Sequence, residues 1–193
     1  MTQQNRDFIK VCVVGKDQSG KTSWIKKLKG ETTRLYQPTI GSDFSLVSVI
    51  FDRQKQNIQI WDLAGSERFS TLITVFLKLI DILIIFVDLS SEIDIEQNIN
   101  YYVDKCNEMN REGEYFKVIV GSKRELSTED KSNRLKQIAN DKGYTYFECS
   151  IFDEQYYLSL SEIFMKTDAP LNFGLKKDII PNFKKSQSKC YIL

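Results

Sequence analysis

Short apolar runs alternate along the chain with longer stretches of helical spacing. Phe8 to Val14 (FIKVCVV), 44–51, 57–62, 82–88, 116–121 and 145–149 predict strands, because compact apolar and β-branched runs between polar residues fit buried strands. Apolar positions recur at helical spacing over 22–29, 67–79, 93–110, 129–142 and 155–166. Arg53 to Gln56 form a polar break between the second and third strands. Those two strands are therefore expected to pair as an antiparallel hairpin. Helical stretches separate the others, which predicts parallel pairing. The expected class is α/β: a three-layer domain with a six-stranded, mostly parallel sheet, one antiparallel edge strand and about five helices. Ligand loops of such a sheet lie at the carboxyl ends of its strands.

Composition narrows this picture modestly. The chain has 193 residues, 41% of them hydrophobic, enough for one globular domain with a sizeable core. We expect an N-terminal extension at 1–7, the domain at 8–167 and a tail at 168–193. A net charge of +1 provides no field for nucleic acid, and no nucleic-acid partner is expected. The most apolar stretch, Leu72 to Leu89, is broken by Lys78 and Asp81 and reads as the end of a helix followed by a core strand. The N-terminal MTQQNRDF is polar and does not read as a signal peptide. Of the four cysteines, Cys12 and Cys149 fall in strand-like runs and read as small core residues. Histidine is absent and no C-x-x-C occurs, which argues against a zinc site or a Cys–His nucleophile and fits a reduced, intracellular protein.

The chemistry is concentrated at two strand ends. Gly15-Lys16-Asp17-Gln18-Ser19-Gly20-Lys21-Thr22 fits G-x-x-x-x-G-K-[ST] and sits between a predicted strand and a predicted helix, the order a phosphate loop requires. Its glycines permit a tight bend, so that N–H groups from Asp17, Gln18, Ser19, Gly20 and on to Ser23 can face phosphates, helped by the positive end of the helix. Lys21 is expected to pair with the β- and γ-phosphates and Thr22 to ligate Mg²⁺. Trp61-Asp62-Leu63-Ala64-Gly65 ends an apolar strand; Asp62 can hold the magnesium and the Gly65 N–H can reach the last phosphate. Between the first helix and the second strand, Thr39 can offer its hydroxyl to Mg²⁺ and its N–H to the γ-phosphate, so that this loop orders with triphosphate. The same segment also fits an ordinary turn built on Pro38.

Tyr36 to Phe44 (YQPTIGSDF) and Ile60 to Phe69 (IWDLAGSERF) resemble the switch regions of Ras-superfamily small GTPases and are most similar to the Rab branch. The resemblance covers roughly residues 8 to 166. It implies the P-loop GTPase fold and a monomeric, Mg²⁺-dependent GTP/GDP switch that hydrolyses GTP. It also implies exchange factors, GTPase-activating proteins and effectors acting through switch I (32–44) and switch II (62–78), with Phe44, Trp61 and Phe76 as candidate effector contacts. Lys21, Thr39, Gly65 and Ser66 are then the candidate catalytic set, Thr22, Thr39 and Asp62 the metal set, and Tyr36 a further nucleotide contact.

The chain departs from this family where the base and the attacking water are handled. The usual Asn-Lys-x-Asp reads Ser122-Lys123-Arg124-Glu125. Lys123 can still lie along the base, and Glu125 can accept from the guanine N1–H and amino group although it is one methylene longer than Asp. Ser122 replaces an amide that normally ties this loop to the phosphate loop. The usual Ser-Ala-Lys reads Ser150-Ile151-Phe152, where the Ile151 N–H can face the guanine O6 and Phe152 replaces the packing Lys. Thr32 stands where an aromatic usually contacts the base. An imperfect hydrogen bond costs roughly 1 kcal/mol and lost stacking a similar amount, so weakening by tens of fold is expected. Ser66 replaces the water-orienting Gln, and Asp17 sets a carboxylate near the γ-phosphate; together they predict slow hydrolysis and a weak response to arginine fingers.

The chain ends Cys190-Tyr191-Ile192-Leu193, a C-a-a-X pattern whose Leu favours geranylgeranyl, and five lysines against two aspartates make the tail net +3 and the rest net −2. Lipid and basic residues together predict anchoring at the cytoplasmic face of an intracellular or plasma membrane, with a cytosolic pool. The expected function is a Rab-like switch in vesicle traffic. The alternatives are a nucleotide-loaded or nucleotide-free scaffold without turnover, and a switch with relaxed base specificity. A P-loop kinase fits less well, since nothing resembles an acceptor-substrate lid.

Overall fold

The computed structural model describes residues 8–31, 37–51, 54–92, 94–110 and 115–167. Among these, β1 (Phe8–Gly15), β2 (Ser42–Phe51), β3 (Gln54–Leu63), β4 (Ile82–Asp88), β5 (Phe116–Ser122) and β6 (Thr145–Cys149) form one sheet in the order β2-β3-β1-β4-β5-β6. β2 and β3 pair antiparallel; every other pair is parallel. The α-helices are α1 (Lys21–Leu28), α2 (Ser70–Phe76), α3 (Ile95–Asn107), α4 (Glu129–Asp141) and α5 (Leu160–Thr167). This is the expected α/β architecture.

Hydrophobic periodicity explains the layering. β4, at the middle of the sheet, is buried on both faces from Ile82 to Val87, as its unbroken apolar run requires. Trp24, Ile25, Leu28, Ile163 and Phe164 bring α1 and α5 onto one face. Ile73, Leu77, Ile99, Val103, Leu135 and Ala139 bring α2, α3 and α4 onto the other. Trp24 is fully buried, packs on Phe86 with ring centroids 5.4 Å apart, and donates its indole N–H to the Leu158 carbonyl at 2.9 Å. It fastens α1 to the segment that leads into α5, and its truncation to Ala would cost about 3–5 kcal/mol. Cys12 and Cys149 are core residues, as expected, and Cys106 joins them.

Four boundaries differ most from expectation, for local reasons. Gln54, Lys55 and Gln56 belong to β3, paired with Phe51, Ile50 and Val49, and not to a polar break. β1 meets β3 from Asn57 onward, so among the described residues no third strand lies beside the far end of the hairpin, which tolerates polar residues. α5 begins at Leu160 rather than 155, because Ser159 and Glu162 form a capping box: Ser159 N–H donates to the Glu162 carboxylate at 2.9 Å and Glu162 N–H to Ser159 Oγ at 3.3 Å. α3 begins at Ile95 because Asp94 caps it, accepting from Gln97 N–H at 3.0 Å. The expected helix over 67–79 is a 3₁₀ turn (Glu67–Phe69) followed by the shorter α2.

Candidate functional site

The strand order reverses direction at β1, with β3 on one side and β4 on the other. Open α/β sheets bind ligands outside the carboxyl ends of their strands at such a point. A cavity of about 440 Å³ lies there. Its walls join Asp17 to Ser23, Thr39 and Gly65 to Ser122, Lys123, Glu125, Ile151 and Phe152. Gln37, Lys26, Phe86, Leu126 and Cys149, which the motifs did not single out, complete the lining.

The side of the cavity expected to hold phosphates is built mainly from backbone. Gly15 has φ 143°, and a Cβ there would lie 2.3 Å from the Phe86 carbonyl oxygen, so no side chain fits. Gln18 and Gly20 adopt positive φ of 60° and 90°, which turns the loop back onto α1. Lys21 is buried and lies across this loop, its ammonium donating to the Gly15 and Lys16 carbonyls at 2.8 Å each and to Ser19 Oγ at 3.3 Å. Burial lowers its pKa to about 8 against the opposing pull of Asp62 and Asp17. A polyanion at this point would favour the charged ammonium.

Thr22 at the start of α1, Thr39 before β2 and Asp62 at the end of β3 meet at one point. Thr22 Oγ1 is 3.0 Å from Thr39 Oγ1 and donates to Asp62 Oδ2 at 2.5 Å; Thr39 Oγ1 donates to the same oxygen at 3.4 Å. Asp62 Oδ1 is buried with no hydrogen-bond partner among the described residues. Burial raises the Asp62 pKa, while the Thr22 hydrogen bond and the Lys21 charge oppose it. An orphaned carboxylate oxygen beside two hydroxyls is a donor set that suits a hard divalent cation such as Mg²⁺. Gly65 lies against the phosphate loop: a Cβ there would be 2.4 Å from Asp17 N, so only glycine permits this approach. Asp17 is exposed at the cavity wall.

The side expected to hold the base depends on side chains. Ser122 is buried and donates to the Ser19 carbonyl at 2.7 Å, so the link from this loop to the phosphate loop is kept by a hydroxyl. Lys123 takes a left-handed conformation (φ 56°) and pairs with Asp88 Oδ2 at 2.6 Å. Glu125 lines the cavity, exposed, without a partner among the described residues. Ser150 is buried and shapes its loop, its Oγ accepting from Phe152 N–H at 3.1 Å and Asp153 N–H at 3.0 Å. Lys27 Nζ donates to the Ile151 carbonyl at 2.7 Å, while the Ile151 N–H has no partner among the described residues. Phe152 is 82% exposed at the rim. Asp88 and Lys27 were missed by sequence reasoning; a carboxylate ending a core strand was the available signal for Asp88, and none marked Lys27.

Ser66 does not line the cavity; its hydroxyl accepts from Arg68 Nε at 3.4 Å. Phe44, Trp61 and Phe76 stack in sequence with centroid separations of 5.0 Å, forming a half-open aromatic surface over β2, β3 and α2. Tyr36, Thr32 and Cys190 lie outside the described residues, as does the tail.

A sequence model of the Ras family matches residues 10–169. The chain is 28% identical to the Ras-related protein Rab-13 of Canis lupus familiaris over 95% of both chains. It is 25% identical to the Ras-related protein Rab-3 of Caenorhabditis elegans over 97% of this chain and 92% of the relative. It is 28% identical to the Ras-related protein Rab-7a of Paramecium octaurelia over 79% and 77% respectively. With the P-loop sheet, the two switch segments and these likenesses together, the chain belongs to the Ras family of small GTPases and is Rab-like within it.

Proposed function

We propose that this protein is a Mg²⁺-dependent GTP/GDP switch with slow intrinsic hydrolysis, acting in membrane traffic. The reading rests above all on the meeting of Thr22, Thr39 and Asp62 beside the phosphate loop. Two of these residues lie on the segments that change between the states of a small GTPase, so one cation site links both switches to the nucleotide. Ras-family proteins bind guanine nucleotide and Mg²⁺. Mg²⁺ held here would neutralise phosphate charge. The Asp17–Ser23 segment cradles phosphates, Lys21 balances their charge, and the Gly65 N–H senses the terminal one. Ser122 orders the loop that presents Lys123 and Glu125 to guanine, and Ser150 orders the loop that presents Ile151 and Phe152.

Slow turnover follows from Ser66, whose short hydroxyl cannot span to a water above the terminal phosphate as Gln does. Its contact with Arg68 directs it further from that task. Asp17, exposed at the wall, adds negative charge where an arginine finger would enter. Geranylgeranyl on Cys190, with the basic tail, would hold the protein at the cytoplasmic face of a membrane. Exchange factors, activating proteins and effectors would read 32–44 and 62–78, with Phe44, Trp61 and Phe76 as the apolar contact.

The nucleotide retained on purification, its affinity for GTP against ATP with Mg²⁺, and a single-turnover assay test the reading. Retained guanine nucleotide and turnover slower than in a relative carrying Gln are expected. An empty pocket, equal affinity for ATP, or no turnover at all would replace the switch by the scaffold or the relaxed-specificity protein. Mass spectrometry of Cys190 from native cells tests the anchor; an unmodified thiol excludes it.

A further inference from the structure

Arg124 is the one residue of the Ser122–Glu125 segment that does not line the cavity. Its side chain turns away and is largely buried, 13% exposed. Its Nε donates to Glu148 Oε2 at 2.7 Å, its Nη2 pairs with Glu129, and its Nη1 reaches the Ser127 carbonyl at 3.5 Å. The guanidinium also lies over the Tyr156 ring, 5.5 Å from its centroid. These partners belong to different parts of the pocket's frame. Glu129 opens α4, which follows the loop carrying Glu125. Glu148 lies on β6, two residues before Ser150. Tyr156 closes the second base loop, its carbonyl accepting from Ser150 N–H at 2.9 Å. Glu148 is fixed in turn by Ser132 and by Tyr146, whose hydroxyl donates to Oε1 at 3.1 Å.

We propose that Arg124 is a positioning residue that staples the two base-reading loops together, setting Glu125 and the Ile151 N–H at one mutual distance. A guanidinium suits this role because its planar fork can hold two carboxylates and stack on an aromatic face at once; an ammonium cannot. The Lys123–Leu126 turn makes the geometry definite. Leu126 N–H closes on the Lys123 carbonyl at 2.9 Å, so that once the Arg124 side chain is drawn toward β6, Lys123 and Glu125 on either side of it line the cavity. Ser122 anchors the start of this loop to the phosphate loop, whereas Arg124 anchors its middle to the other base loop. A longer Glu in place of Asp needs its backbone held at a fixed setback from the base, and this network is what fixes it.

The proposal rests on guanine recognition by this pocket, and the test separates the two. Binding of GDP, ADP and inorganic tripolyphosphate, each with Mg²⁺, is measured on the full chain by calorimetry for wild type, Arg124→Met, Arg124→Lys and Glu148→Gln. Wild type is expected to prefer GDP strongly over ADP. Arg124→Met is expected to lose about tenfold in GDP affinity, with tripolyphosphate affinity unchanged within about twofold, since charge-assisted contacts are lost on the base side alone. Arg124→Lys is expected to recover part of the loss, and Glu148→Gln to reproduce it in a variant that keeps the packing. Unchanged GDP affinity in both Arg124→Met and Glu148→Gln overturns the staple while leaving guanine recognition standing. Parallel loss of GDP and tripolyphosphate also overturns it, because it marks a general loss of structure. Equal binding of GDP and ADP by wild type overturns the guanine reading and the staple with it.

Discussion

The two sides of the cavity are built differently. On the side proposed for the phosphates, positive-φ positions, backbone carbonyls and one buried lysine line the cavity, and every participant except Thr39, Asp62 and Gly65 lies within nine consecutive residues, Gly15 to Ser23. On the base side, each loop is held by a side chain whose partner is far away in sequence: Ser122 on Ser19, Lys123 on Asp88, Arg124 on Glu148, Lys27 on Ile151. A site built from backbone has few solutions and its residues are constrained by sterics. A site built from side-chain contacts can be rewired, provided the new contacts hold the same loops. The departures from the family pattern at Ser122, Glu125 and Phe152 all fall on the side that can be rewired.

That contrast can be broken by substitution. The largest effect is expected from Lys21→Ala, which removes the buried ammonium proposed to face the phosphates. Truncating one partner of a buried charge pair costs roughly 2–5 kcal/mol, a loss of at least about 30-fold in GTP affinity, and tripolyphosphate binding should fall in parallel. Equilibrium titration with both ligands checks this; an intact tripolyphosphate affinity would show that Lys21 does not serve the phosphates. Ser66→Gln should raise the single-turnover hydrolysis rate about tenfold, equivalent to ~1.4 kcal/mol of barrier, without changing GTP affinity. An unchanged rate would place the limit elsewhere, with Asp17 next to be replaced.

Smaller effects are expected on the base side. Glu125→Asp should tighten GDP binding by about fivefold if the longer side chain costs one imperfect hydrogen bond of ~1 kcal/mol. Weaker binding would instead mean that the surrounding loops have adapted to the longer glutamate. Ser122→Ala removes the hydroxyl that satisfies the Ser19 carbonyl and should cost about 1 kcal/mol of stability, read as a lower denaturant midpoint at constant m-value. It should also speed nucleotide release, because the loop then loses its link to the phosphate loop.

Much of the fold was legible beforehand. β4 is a continuous apolar run and could be read as a central strand without any partner in view. The hairpin, the parallel pairs and all five helices followed from the period of the pattern and its breaks. The errors were at ends. α5 starts where Ser159 and Glu162 can cap each other, a signal of two residues inside a longer stretch that also has helical spacing. Gln54 to Gln56 carry no apolar signal, yet extend a strand because Val49, Ile50 and Phe51 lie opposite them.

The site divides along the same line. By itself the sequence determined the phosphate loop, the cation-binding trio of Thr22, Thr39 and Asp62 as candidates, and the family, because these depend on residue types at short fixed spacings, and glycine and backbone geometry leave little choice. Only the tertiary structure decided how the base loops are held. Arg124 and Glu148 are 24 residues apart, Lys123 and Asp88 are 35 apart, and Lys27 and Ile151 are 124 apart. No local pattern announces such pairs. They exist because parallel strands bring their carboxyl ends together, and the side chains that meet there are chosen by the sheet order rather than by neighbours along the chain.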